Sequence, residues 1–152
     1  MTSVANLPGN AALQLDNQLC FALYAANHAM HRLYRQRLKS LGLTYPQYLV
    51  MLVLWEQDDL TVSAIGERLF LDSATLTPLL KRLEQAGLLH RQRDRQDERQ
   101  VRIQLSPAGR DLREQARDVP TSVRSAVACS PAELQSLRAQ LHDLRRQLDA
   151  AA

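Results

Sequence analysis

Cysteine is scarce in this chain: Cys20 and Cys129 are the two among 152 residues, and neither has a second Cys or His at zinc-ligand spacing. That excludes a disulfide scaffold, and the expected sites hold no metal and no cofactor. The reading is of a cytoplasmic chain whose thiols are kept reduced and whose disulfides, where they form, are transient. Long apolar runs are missing as well. The longest, Tyr48 to Trp55, has eight residues and is far too short to cross a bilayer, so no membrane partner is expected. The opening MTSVANLPGN lacks the charged-then-apolar order of a secretory signal. Low-complexity tracts are absent, and with 45% hydrophobic residues the chain can bury a core. Its length suits one ordinary domain.

Charge is present but unevenly spread. The formal net charge of +3 arises in residues 61–110, with nine basic side chains against six acidic. Residues 1–60 carry four of each sign and residues 111–152 six of each. A basic middle between neutral flanks points to a polyanion partner.

Residues 1–12, with Pro8, Gly9 and Asn10, read as a flexible lead-in. From about Leu13 to Leu41 there is no Gly or Pro, and Leu15, Leu19, Leu23, Ala26, Met30 and Leu33 form one stripe. This spacing predicts a single long amphipathic helix stopped by Gly42. Thr44-Tyr45-Pro46-Gln47 then reads as a capping box opening an apolar helix through Trp55. Two short helices follow in residues 61–87, the first started by Thr61 or Ser63 and the second capped by Asp72 and ended by Gly87. Pro78 is an awkward residue within the second. Val101, Ile103 and Leu105 alternate with Arg102 and Gln104 as a half-buried strand, which Leu89 to Arg93 can pair. Ser106-Pro107 and Ser130-Pro131 each open a further helix. Leu134, Leu137, Leu141, Leu144 and Leu148 form an a/d seam that needs another helix to cover it, which suggests a homodimer.

Helix, helix, turn, helix and two-stranded hairpin make a mainly α fold, a winged helix-turn-helix between N- and C-terminal dimerisation helices. Opposite the leucines of its second short helix stand Ser73, Thr75, Thr77 and Lys81, with Arg82 beside them, able to reach base edges and phosphates. The hairpin tip adds Arg93, Arg95 and Arg99 for phosphates or a narrow minor groove, with Asp97 placed to orient Arg99 or Arg95. The plain alternative for the central helices is an all-α core without a DNA role, and for Arg91 to Arg102 a merely solvated charged hairpin.

From Leu15 to Leu105 the chain resembles MarR-type regulators, and more narrowly the OhrR subfamily of organic hydroperoxide sensors. The matching pieces are Asn17-Gln18-Leu19-Cys20-Phe21, Leu43-Thr44-Tyr45-Pro46-Gln47-Tyr48, the run from Leu71 to Arg82, and Asp97-Glu98-Arg99 in the wing. Residues 106–152 resemble the family in pattern alone. Proline at position 78 is ordinary in that subfamily. The resemblance implies a single MarR-like domain over 13–152, with 13–42 and 107–152 as dimerisation helices and 44–105 as the winged lobe. It also implies a repressor that releases a pseudo-palindromic double-stranded operator when an organic hydroperoxide oxidises Cys20.

The residues can support that chemistry. Cys20 and Tyr24 are i and i+4 and share a face. Tyr34 is fourteen residues on, again on that face but about 21 Å away at 1.5 Å per residue. An antiparallel copy of the helix would bring it to Cys20, so a composite site across a dimer is expected. In the subfamily, tyrosines matching Tyr34 and Tyr45 hydrogen-bond the reactive sulfur from the partner subunit. Phenolic donors and the helix N-terminus at Tyr45 both favour thiolate over thiol. Taken alone, a lone helical cysteine is most often an inert core residue; the resemblance makes Cys20 the sensing thiol. Some OhrR-like proteins have a second cysteine near the position of Cys129 that captures the sulfenic acid as an intersubunit disulfide, while others rely on a small-molecule thiol; a spectator cysteine in a loop is the plain alternative. His28 and His31 read as solvated or interface residues rather than ligands.

Two other functions compete. One is a MarR-like repressor induced by a small lipophilic or aromatic ligand, with Cys20 incidental. The other is a thiol peroxidase using both cysteines, against which stands the lack of any βαβ pattern; the expectation is that the chain is not an enzyme.

Overall fold

The computed structural model describes residues 9–152. Positions 1–8 of the expected lead-in lie outside the described residues, and its last four, Gly9–Ala12, form a helical turn, α1. A 3-10 turn at Leu15–Asn17 precedes α2, Leu19–Arg37. The single helix predicted from Leu13 to Leu41 is therefore shorter at both ends. At its front, side chains capture the backbone: Asn17 Nδ2 donates to the Ala11 carbonyl at 2.8 Å, and Gln18 Nε2 to the Ala12 carbonyl at 2.7 Å. Such local bonds compete with the helical ladder. At its rear a 3-10 turn, Lys39–Leu41, runs into Gly42, whose φ of 66° is left-handed. The stripe is corrected accordingly, since Leu15 lies outside α2.

Helix α3, Tyr45–Glu56, opens with the predicted capping box: the Gln47 N–H donates to Thr44 Oγ1, and the Thr44 N–H donates to Gln47 Oε1. It buries Tyr48, Val50, Met51, Val53 and Leu54, which makes it the axis of the lobe. Strand β1, Leu60–Thr61, leads into α4, Val62–Leu69, with Thr61 as N-cap. Helix α5, Ser73–Gln85, starts on the Asp72 cap and buries Leu76, Leu80 and Leu83. Pro78 sits inside α5 without ending it. The carbonyl whose bond it forfeits belongs to Ala74, an exposed residue. Strands β2, Leu89–Arg93, and β3, Val101–Leu105, pair antiparallel with Leu89 opposite Leu105 and Arg93 opposite Val101. The sheet order is β1-β3-β2, one strand more than the hairpin expected, because a two-residue strand shows no alternation to read.

After the hairpin the sequence predicts two helices and three form: α6, Pro107–Gln115; α7, Val119–Ser125; and α8, Pro131–Ala151. Pro120, with no N–H to give, prevents α6 and α7 from being continuous. The chain packs as two units, the first ending at Val119 and the second being Pro120–Ala152. In the first, Leu38, Val50, Met51, Leu54, Ile65, Leu76, Leu80, Leu83, Leu89 and Ile103 are the largest fully buried side chains of the core. In the second, Ser130 caps α8 in a capping box with Glu133, and Leu137, Leu141 and Leu148 of the seam stay exposed. None of the described helices is long and apolar enough to cross a membrane.

Candidate functional site

Helix α5 turns its leucines inward and thereby turns Ser73, Thr75, Lys81 and Arg82 outward, all exposed, while Thr77 is half-buried. Its start is pinned by Asp72, whose Oδ1 accepts the Thr75 N–H at 2.7 Å. That bond holds the Asp72 carboxyl below its ordinary value. Helix α4 ends on Phe70 in the left-handed region at φ 56°, and the chain returns through the Leu71 N–H to the Gly66 carbonyl at 3.0 Å. A Cβ on Gly66 would lie 2.6 Å from the Leu71 carbonyl oxygen, so glycine permits the close approach of the α4–α5 turn.

In the wing, Arg95 and Arg99 are exposed, the Arg99 side chain to 92%. Arg93 lies against the Glu98 carbonyl at 3.4 Å. Asp97 holds Arg99, accepting its Nε–H at 3.1 Å and its backbone N–H at 3.2 Å, one of the two pairings the sequence reading allowed. Arg91 is turned back to Glu84 of α5, which accepts its N–H at 2.7 Å and its Nε–H at 3.2 Å. The backbone donor first, then the guanidinium, hold the Glu84 carboxyl low. Beside the hairpin opens a polar cleft of about 440 Å³ lined by Asp59, Arg93, Asp94, Arg95 and Arg102. The sequence reading passed over Asp59, Asp94 and Arg102. Arg102 bonds both acids, and the Asp59 and Asp94 carboxyls are held below the usual range, Asp59 chiefly by Arg102 and Asp94 chiefly by the Gln96 and Asp97 N–H groups.

The thiol lies elsewhere. Cys20 is exposed in the first turn of α2, because that helix begins at Leu19 rather than Leu13. Gln18 makes no side-chain cap there. Tyr24, one turn further, packs on His28 at 4.2 Å and Phe21 at 6.4 Å between ring centroids. Toward the far end of α2, Tyr34 meets Tyr45 at 4.4 Å and Tyr48 at 5.8 Å, and His31 meets Tyr45 at 5.2 Å. The two tyrosines predicted to act together are thus brought together, joined by His31 and Tyr48. Helical spacing could have found both: His31 is three before Tyr34, and Tyr48 three after Tyr45. Burial pushes the Tyr34 phenol up, and burial with the neighbouring Tyr34 does the same to Tyr45. Tyr48 is pushed up to about 12 by burial first. These phenols stay protonated and available as donors. Cys129, exposed, precedes the Ser130 cap of α8 in the second unit. No group of three or more metal-ligating side chains occurs among the described residues.

Known proteins carry the same architecture. Residues 32–116 match the family model for the transcriptional regulator SarA/Rot. The HTH-type transcriptional regulator TtmR of Methylorubrum extorquens is 53% identical over 91% of this chain and 71% of its own length. The organic hydroperoxide resistance transcriptional regulator of Bacillus subtilis is 46% identical over 90% of this chain and 92% of its own. The structure of reduced AbfR bound to DNA superposes with a TM-score of 0.79 at 35% identity, covering 94% of this chain and 97% of that one. These relatives are regulators and not enzymes, and this protein is a DNA-binding transcriptional regulator. The chain belongs to the MarR/SarA-like winged-helix family of transcriptional regulators.

Proposed function

We propose that this regulator is a homodimeric repressor that senses organic hydroperoxides through Cys20. The observation that carries the reading is the arrangement around α2: an exposed thiol in its first turn and, fourteen residues on, Tyr34 packed against Tyr45 of α3. No residue of α2 is buried within the chain, which leaves the helix a face for a second copy. Laid antiparallel, that copy offers its Tyr34 and Tyr45 to this Cys20. The 46% identity to a regulator of organic hydroperoxide resistance supports the same signal.

The chemistry balances. The Cys20 thiolate attacks a peroxide oxygen, an S–O bond forms, the O–O bond breaks, and the alkoxide leaves as alcohol after taking a proton. Sulfur is oxidised by two electrons and the peroxide reduced by two. The Cys129 thiol of the partner then attacks the sulfenic acid, an S–S bond forms and water leaves. Joining the cysteines requires their Cα atoms within about 7 Å, and in this reading a helix swings or unwinds to bring them there. Two recognition helices must sit about 34 Å apart to enter successive major grooves of a pseudo-palindrome. A rotation of the winged lobes therefore releases DNA.

The test uses an operator duplex selected by the reduced wild type from a randomised pool. One equivalent of cumene hydroperoxide should release the duplex and yield a dimer-sized band on a non-reducing gel. Undiminished binding by oxidised protein would sink the reading and favour ligand induction instead. On the DNA face, Lys81→Ala should weaken binding and reduce the salt slope by about one unit, the mark of one lost phosphate contact. Unchanged affinity and slope would remove Lys81 from the interface. In the thiol site, Tyr34→Phe and Tyr45→Phe each remove one hydrogen bond to a charged sulfur, worth about 1.5–3 kcal/mol. Oxidation of Cys20, followed by iodoacetamide trapping, should slow by about tenfold or more on that scale. Wild-type rates in both variants would exclude the phenols.

A further inference from the structure

We infer that Arg102 is a positioning residue for DNA binding, a clamp that sets the aim of Arg99; the inference rests on the reading of Arg99 as a wing contact to DNA. Arg102 lies on β3, the central strand, and its guanidinium reaches both edges of the sheet. Nε donates to Asp59 Oδ1 at 2.8 Å, one terminal nitrogen to the Asp59 carbonyl, and the other to Asp94 Oδ2 at 3.2 Å. Asp59 immediately precedes β1 and Asp94 immediately follows β2, so one fork ties three strands at the root of the wing. Asp59 holds a left-handed φ of 59°, a conformation Asp tolerates better than most residues, and offers carboxylate and carbonyl to the same group.

From Asp94 the path continues outward. Its side chain is 14% exposed, and its Oδ1 accepts the Gln96 N–H at 2.7 Å and the Asp97 N–H at 3.0 Å, shaping the tip turn. Asp97 in turn holds the Arg99 guanidinium. Arg99 itself is nearly fully exposed, so its direction depends on the turn that carries Asp97. An unbroken run of hydrogen bonds thus leads from the middle of the sheet to the tip.

Stability alone does not account for this arrangement. Partly exposed ion pairs add little to folding one by one, whereas a planar fork that satisfies three acceptors in fixed directions fixes geometry, and lysine cannot imitate it. The clamp therefore acts on the angle of the wing more than on the survival of the fold.

The experiment is a double-mutant cycle read by affinity for the selected operator duplex, with thermal unfolding alongside. Arg99→Ala should weaken binding, and so should Arg102→Leu, by at least about twofold, the lower end of couplings within one network. The double variant should bind no worse than Arg99→Ala alone, since a clamp with nothing to aim has no effect. Asp94→Asn cuts the same tie from the other end and supplies the same cycle should Arg102→Leu fail to fold. Wild-type affinity in Arg102→Leu overturns the inference. Losses that add fully in the double variant also overturn it, because they show damage to the lobe at large. If Arg99→Ala alone binds like wild type, the reading of the wing contact fails first and the clamp falls with it.

Discussion

Cys20→Ser is expected to stay on the operator through a hydroperoxide challenge that strips the wild type. The substitution exchanges one sulfur for oxygen at an exposed position in the first turn of α2, so folding and reduced-state DNA affinity should be unchanged. A serine hydroxyl cannot be carried to a sulfenic acid by a hydroperoxide, so the signal ends there. Couplings between a sensing site and a distant binding site typically span about 5- to 150-fold in affinity, and oxidised wild type should lose binding within that range while Cys20→Ser loses none. Cys129→Ser separates the second step, since its sulfenic acid forms without the crosslinked band. Electrophoretic mobility shift with non-reducing gels reads both outcomes. Release of Cys20→Ser by the same dose would remove the thiol from the mechanism.

Gly109→Ala should damage the lobe more than any exposed substitution. A Cβ at Gly109 would fall 2.0 Å from the Leu88 carbonyl oxygen and 3.2 Å from a Leu105 methyl. The obstacle is backbone, and that oxygen already accepts the Ser106 N–H at 3.0 Å. Nor is Gly109 free to retreat. Its N–H donates to Ser106 Oγ at 3.0 Å, capping α6, and its carbonyl accepts from Trp55 Nε1 at 2.9 Å, seating α6 against α3. Overpacking commonly costs about 1–3 kcal/mol, and moving a bonded backbone places this variant at or beyond the upper figure. At about 2–4 °C per kcal/mol for a chain of this size, the midpoint should drop by about 6–12 °C or more. Operator binding should fail at correspondingly lower temperature. A midpoint within a degree of wild type would show that α6 can slide freely, contrary to these contacts.

Much of the fold was legible because its signals are local. Thr44, Asp72, Ser106 and Ser130 were readable as caps because each bonds an N–H within three residues. The pairing of β2 with β3 was legible in the alternation of Val101, Ile103 and Leu105, whereas their register was set by the structure. The proposed thiol site rests on spacing, for Tyr34 lies at a near-integral number of turns from Cys20 on one helix. The start of α2 was misplaced because side-chain amides of Asn17 and Gln18 captured carbonyls that periodicity alone assigned to the helix. That error mattered, since it hid the position of Cys20 at a helix start.

The sequence by itself determined the class of protein, the helices opened by Thr44, Asp72, Ser106 and Ser130, the hairpin, and the face of α5 that points away from the leucines. These depend on residues near one another along the chain, where helical or strand period translates directly into direction. Tertiary structure alone decided which arginines of the basic middle are tied across the lobe and which are left exposed. Arg91 is turned inward to Glu84 and Arg102 is held by Asp59, 43 residues away, and by Asp94, whereas Arg95 and Arg99 project outward. Charge counted along the chain treats these side chains alike; a guanidinium's partner is set by the strand that lies beside it, and strand neighbours are chosen by the packing of the core.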